Sequence, residues 1–180
     1  MNNNKVIYAG GCFWCVEHDL RSAPGALHVL SGYSGGQELD PTYYKHKDHR
    51  EAVEVEYDPS ITNFKKLTQF FLDHIDPTDQ GGQFYDRGLA YQTAIFYMTP
   101  EEKSIAESLL KELDESHIYD KPVAVEVLPA TLFYKAEDAH QDYADKNPEH
   151  YARYRKGSGR EDQVARTCAI REEKHIDWKE

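Results

Sequence analysis

The chain has 180 residues with 32 acidic and 21 basic side chains, giving a net charge of −11 with the histidines neutral. That balance argues against nucleic-acid binding, which needs a basic surface. With 39% apolar and 29% charged residues, the length suits one globular domain with a real core. The start, Met1-Asn2-Asn3-Asn4-Lys5, has no apolar h-region, and no run is long enough to cross a bilayer. No signal peptide and no membrane contact are therefore expected. Three cysteines are an odd number for a secreted disulfide framework, so redox-active thiols in a cytoplasmic setting are expected.

Val6-Ile7-Tyr8-Ala9 reads as a buried strand, followed by Gly10-Gly11 as a tight turn and a helix running through Leu20. Ser22–Ala26 is a loop, Leu27–Leu30 a short strand, and Ser31-Gly32-Tyr33-Ser34-Gly35-Gly36 a flexible glycine-rich loop. It lacks the Gly-Lys-Ser/Thr ending of a phosphate loop. Ala52–Tyr57 alternates, with Val53, Val55 and Tyr57 on one side and Glu54 and Glu56 on the other, as in a half-buried strand. Thr62 or Asn63 caps the next helix, whose stripe is Phe64, Leu67 and Phe71. A long loop from His74 to Tyr91 is of the kind that carries function.

Thr93–Met98 reads as a central strand. Thr99-Pro100-Glu101-Glu102 is a capping box opening a helix that buries Ile105, Leu109 and Leu113. Val123–Val127 is a further strand, and Lys135–Lys146 a polar helical stretch broken by Asn147-Pro148. A short helix near His150–Tyr154 follows, then a linker-like turn at Lys156–Arg160 and a mixed-charge end, read as a solvated helix, holding Cys168 and Trp178. The alternation of strands and helices predicts an α+β sandwich with helices over one sheet.

The chemistry is expected at Gly11-Cys12-Phe13-Trp14-Cys15. A thiol at a helix start meets unpaired N–H groups and the positive end of the helix dipole, which favour thiolate. Phe13 and Trp14 stand ready to wall an apolar pocket, and Cys15 lies one helical turn on. The alternative is that both cysteines are small buried hydrophobes. His46, Asp48 and His49 imitate a metal site, but without a zinc-type cysteine/histidine pattern elsewhere they read as a solvated loop face, and no metal is expected. His140 is expected to be a structural hydrogen-bonding residue.

Seven motifs in order resemble the A-type peptide methionine sulfoxide reductases. They are Gly11-Cys12-Phe13-Trp14; Gly32-Tyr33-Ser34-Gly35-Gly36; Pro41-Thr42-Tyr43; His49-Arg50-Glu51-Ala52-Val53-Glu54-Val55; Tyr57-Asp58-Pro59; Asp76-Pro77-Thr78 with Asp86-Arg87-Gly88 and Tyr91; and Phe133–Gln141. The match runs from about Lys5 to about Tyr154. The resemblance implies a two-layer α+β plait with a ferredoxin-like βαββαβ core and an extended C-terminal segment. It makes residues 1–155 the catalytic domain and 156–180 a tail of the same domain. It also implies reduction of the S-epimer of methionine sulfoxide, free or in proteins. Cys12 falls at the nucleophile, with Phe13 and Trp14 against the substrate methyl group. Glu51 falls at the acid, Tyr43 and Tyr91 at hydroxyls on the sulfoxide oxygen, and Asp86 at a supporting carboxylate.

That chemistry needs a soft thiolate and an acid that protonates the oxygen as the sulfur is attacked. An enclosed carboxyl holds such a proton near neutrality. A sulfenic acid on Cys12 would result, resolved by a second thiol and recycled by a dithiol, thioredoxin in this family. No metal, flavin or nucleotide cofactor is required. The sequence departs from the family in placing Cys15 where glycine is usual, so Cys15 competes with Cys168 for the resolving role. Proximity across one turn favours Cys15. Two rival readings stay open: a thioredoxin-like dithiol oxidoreductase built on Cys12-x-x-Cys15, and a non-catalytic domain binding methionine-containing peptides.

Overall fold

Both faces of the first strand are covered: Val6, Ile7, Tyr8 and Ala9 are all buried, which a strand achieves only at the centre of a layered sheet. The computed structural model describes residues 4–174; Trp178 lies outside them. In chain order the elements are β1 (Lys5–Ala9), α1 (Phe13–Leu20), β2 (Ala26–Ser34), β3 (Arg50–Tyr57), α2 (Phe64–Asp73), β4 (Gly82–Gln83) and β5 (Asp86–Arg87). There follow β6 (Ala94–Tyr97), α3 (Pro100–Glu115), β7 (Glu126–Pro129), β8 (Tyr134–Lys135), α4 (Tyr143–Lys146), α5 (Pro148–Ser158) and α6 (Arg160–Lys174).

A six-stranded mixed sheet has the order β7-β6-β1-β3-β2-β8, and β4 and β5 form a separate hairpin. Only β6 and β7 run parallel. One face carries Val6, Tyr8, Val53, Val55 and Ile95 against the apolar stripes of α1, α2 and α3. The other holds a smaller cluster of Ile7, Ala9, Ala52, Ala94 and Phe96 under Leu128, Ala130 and Phe133. Thus the α+β class with helices over a sheet is observed. No helix among the described residues is long and apolar enough to cross a membrane.

The capping box closes as read, with Thr99 accepting from the Glu102 N–H and Glu102 from the Thr99 N–H. Asn63 caps α2. Ala106, Leu109 and Leu113 are the buried residues of α3, Ile105 being only partly covered.

Five stretches differ from the sequence expectation. The glycine-rich run Ser31–Ser34 is strand, because β3 pairs with it on one side and β8 on the other. Gly32 suits that crowding: a Cβ there would lie 2.3 Å from the Tyr134 carbonyl oxygen. The strand expected at Val123–Val127 forms at Glu126–Pro129, since the Val123 and Ala124 N–H groups are taken by Asp114 Oδ1 and the Pro77 carbonyl. Lys135–Lys146 is a strand pair, a 3₁₀ turn and a single helical turn rather than one helix. Gln141 breaks it by bonding both backbone groups of Ser31, and Asp142 sits in the left-handed region at φ 53°. The linker-like Lys156–Arg160 is instead the end of α5, a turn at Gly159 and the buried Arg160 that opens α6. The expected solvated end is likewise anchored: Thr167 is buried beside Tyr119, and Arg171 pairs with Asp73 of α2.

Candidate active site

The turn between β1 and α1 is fixed by its surroundings. Gly11 has φ +83°, and a Cβ there would lie 2.4 Å from Gln83 Cβ, so only glycine fits. Gln83 is itself pinned: its amide oxygen accepts from the Asp76 N–H at 2.9 Å and its amide nitrogen donates to the Asp76 carbonyl at 2.7 Å. From the far end of the chain, Arg160 donates to the Gly10 carbonyl at 2.6 Å and to the His74 carbonyl at 3.1 Å. Cys12 then stands at the N-cap position of α1.

Cys12, Phe13 and Trp14 open on a cleft of about 130 Å³. Tyr43, Glu51, Asp86, Tyr91 and Tyr154 complete its lining. Residues from the first turn of α1, the loop before β3, β3 itself, β5, the following 3₁₀ turn and α5 therefore meet at one point. Seven of the eight residues picked from the sequence line it; Cys15 is the exception. It is fully buried and packs behind Cys12 with Ala144 and Tyr151. Cys168 lies on an exposed part of α6 and is not among the lining residues.

The helix start serves the acid rather than the thiol. Cys12 makes no side-chain capping bond, whereas the Phe13 N–H donates to Glu51 Oε2 at 2.9 Å. Glu51 is 2% exposed and is the second residue of β3. Burial pushes its carboxyl up to about 8, with a smaller push from Asp86 and an opposing pull from the Phe13 N–H. It is thus protonated at neutral pH. Burial also raises the Cys12 thiol, helped by Cys15 and by the Glu51 charge, while the Tyr154 hydroxyl pulls the other way. The helix-start N–H expected to favour a thiolate at Cys12 thus goes to Glu51, and burial opposes the charged thiol. Cys15 is lowered to about 7 by its hydrogen bond with Cys12, then by the charges of Arg160 and Arg155. Burial raises the phenols of Tyr43, to about 12, and of Tyr91, so both remain hydrogen-bond donors. Asp86 is raised by burial and accepts from the Tyr154 hydroxyl.

Trp14 is held on several sides. Tyr143 stacks on it at 3.8 Å between centroids, its Nε1–H donates to His140 Nδ1 at 3.2 Å, and Tyr154 meets it edge-on. His140 also stacks on Tyr43 at 4.4 Å. Glu137 sets the Tyr43 loop by accepting from the Tyr43 N–H and the Tyr33 hydroxyl, each at 3.0 Å. Glu17 accepts from the Asp142 N–H and so fixes the turn before Tyr143. His46 and His49 hold their loop by hydrogen bonds to backbone groups of Thr42, Gly36 and Glu38.

Sequence reasoning missed Tyr154, Tyr143 and Arg160. The sequence shows Tyr154 only as the end of a short helix, though its spacing from Tyr151 puts two aromatics on one side of that helix.

A polarisable thiol, a protonated carboxyl and two phenol donors around one small aromatic cleft define a thiol-dependent oxidoreductase on an α+β scaffold. The sequence model of the family described as peptide methionine sulfoxide reductase matches residues 4–172. Peptide methionine sulfoxide reductase MsrA of Bacillus velezensis is 48% identical over 167 residues, covering 89% of this chain and 94% of the relative. The protein of the same name from Bacillus subtilis is 46% identical over 166 residues, with the same coverage of 89% and 94%. Among solved structures, methionine sulfoxide reductase A of Corynebacterium diphtheriae superposes with a TM-score of 0.70 at 30% identity, covering 82% of this chain and 77% of that one. Reduced Mxr1 of Saccharomyces cerevisiae gives 0.74 at 28%, covering 81% and 86%. The chain belongs to the A-type peptide methionine sulfoxide reductases, oxidoreductases that reduce methionine sulfoxide and so repair oxidative damage.

Proposed function

We propose that the chain reduces the S-epimer of methionine sulfoxide, free or in proteins, through a sulfenic acid on Cys12. The observation that carries this reading is the buried Glu51 lining the same cleft as Cys12, with its carboxyl pushed up by burial. Cys12 attacks the sulfoxide sulfur as a thiolate, and the proton it gives up ends on the Glu51 carboxylate once that group has protonated the oxygen. Glu51 delivers its proton to the oxygen, and Tyr43 and Tyr91 donate hydrogen bonds to it as charge shifts, with Asp86 supporting them. The oxygen passes to the Cys12 sulfur as hydroxyl and methionine leaves: one S–O bond breaks, one forms, and Cys12 takes up the oxidation. Phe13 and Trp14 wall the methyl group.

Cys15 then attacks the sulfenic acid, forming a Cys12–Cys15 disulfide and water. Its contact with Cys12 in one buried cluster supports it over Cys168. A thioredoxin-type dithiol returns the pair to thiols. The run β1-α1-β2-β3-α2-β6, with sheet order β6-β1-β3-β2, supports a ferredoxin-like βαββαβ core. Arg160 bonding the Gly10 carbonyl supports taking residues 156–180 as a tail of the 1–155 domain. Thiols kept for redox work agree with a cytoplasmic location.

The test is incubation with separate R and S sulfoxide epimers and dithiothreitol, scored for methionine. Consumption of the S-epimer alone is expected; equal use of both, or neither, overturns the reading. Mapping the disulfide after oxidation by substrate decides between Cys15 and Cys168.

A further inference from the structure

Behind Cys15, away from the cleft, lies a charged network that methionine formation leaves unused. Asp19, one turn further along α1, is 6% exposed and pairs with Arg155 Nη2 at 2.8 Å. Arg155 Nη1 donates to the Tyr151 hydroxyl at 3.0 Å. Tyr151 sits one turn earlier on α5 and packs in the same buried cluster as Cys15. The guanidinium is thus clamped at two points, one on each helix that encloses the Cys15 sulfur. A largely buried ion pair is a poor way to gain stability, and α5 could be fastened to α1 by apolar side chains at lower cost.

We propose that Arg155 is a positioning residue for the resolving step: clamped by Asp19 and Tyr151, its guanidinium holds the negative charge of Cys15 while that sulfur attacks the Cys12 sulfenic acid. As the S–S bond forms, the S–O bond of the sulfenic acid breaks. The hydroxyl leaves as water with the proton that the Cys15 thiol gave up. Cys15 is oxidised to the disulfide level and Cys12 reduced to it. The lowered Cys15 thiol agrees with this placement. The titratable groups facing Cys15 are Cys12 at the N-cap of α1, Asp19 on α1, Tyr151, Tyr154 and Arg155 on α5, Arg160 at the start of α6, and Glu51 on β3. Asp19 and Arg155 act on it with opposite sign. All of this requires that Cys15 resolves, as proposed above.

The experiment is a single turnover with the S-sulfoxide and no reductant, following methionine release and thiol loss separately across pH 5–9. Arg155→Gln should move the thiol-loss profile up by about one pH unit, slowing resolution roughly fivefold at pH 7 and converging with wild type at high pH. Asp19→Asn should move it down, and Arg155→Lys should restore most of the wild-type profile. A purely structural staple would slow Arg155→Gln and Asp19→Asn alike at every pH, which overturns the proposal, as does a wild-type profile in Arg155→Gln. Asp19→Asn and Arg155→Lys keep the test decisive if Arg155→Gln does not fold, because neither leaves a buried carboxylate unpaired. A mapped Cys12–Cys168 disulfide in the wild type would instead remove Cys15 from the resolving role, an outcome distinct from an unmoved profile with the Cys12–Cys15 bond formed.

Discussion

The backbone N–H of Phe13 donates to Glu51 Oε2 at 2.9 Å, so the start of α1 secures the acid and not the nucleophile beside it. Glu51 and Cys12 are thereby coupled: a charge on the carboxyl raises the thiol. Glu51→Gln keeps the hydrogen bond from Phe13 but has no proton to give. Methionine release in a single turnover should fall about 10²–10⁴-fold. Alkylation of Cys12 by iodoacetamide, resolved from Cys15 by tandem mass spectrometry, should move to lower pH because the repelling charge is gone. A normal methionine burst in this variant would remove Glu51 from the acid role.

The same carboxyl couples stability to pH. In the folded state it is raised to about 8 from an ordinary 4.5. Between those values the native chain keeps a proton that the unfolded chain releases, so this group's contribution falls as pH rises through the window and is flat above it. Glu51→Gln lacks the penalty. Its Tm relative to wild type should rise steadily from pH 5 to pH 8, by an amount on the order of a few kcal/mol at most, each worth about 2–4 °C at this chain length. Glu17, also pushed up by burial, to about 7, acts with the same sign in both proteins and cancels in the difference. Calorimetry at matched ionic strength checks it; a constant difference across pH would contradict it.

The cleft was legible because its parts sit in short motifs whose residue types are chemically unusual: a thiol after two glycines, and a glutamate at the head of an alternating strand. What stayed hidden came from long-range pairing. Ser31–Ser34 has turn composition, yet β8 reaches it from a hundred residues away and completes its ladder. Gln141 reads as one polar residue in a helical stretch, but its amide serves as a strand partner for Ser31. Arg160 looks like part of a linker-like turn, and only the folded chain brings it to the Gly10 carbonyl. The use made of the α1 start was hidden for a related reason: sequence gives the helix start but not that Glu51 arrives to occupy it.

Tyr154 joins two cleft groups, donating to Asp86 and pulling the Cys12 thiol down. Tyr154→Phe keeps the edge-on contact with Trp14 and removes only the hydroxyl. The Cys12 alkylation profile should shift to higher pH, opposite to Glu51→Gln. The catalytic efficiency kcat/KM at pH 7 should fall by roughly tenfold, the size of one lost hydrogen bond to a charged group. Steady-state kinetics beside the alkylation series would test both, and unchanged alkylation with reduced kcat/KM would confine Tyr154 to holding Asp86.

Arg160 is 2% exposed, and its guanidinium donates to two carbonyls, at Gly10 and His74. Arg160→Met fills part of the volume but removes the donor to both oxygens, the one at Gly10 buried, which should cost about 2–4 kcal/mol. At 2–4 °C per kcal/mol, Tm should drop by roughly 5–15 °C. Because Gly10 leads directly into the Gly11-Cys12 turn, the loss should reach the cleft as well. A lower methionine burst rate is expected at temperatures where the variant is fully folded by circular dichroism. If Tm fell while the burst rate stayed at the wild-type value, the segment after Ser158 would be a brace for the fold alone, with no hand in setting the cysteine turn.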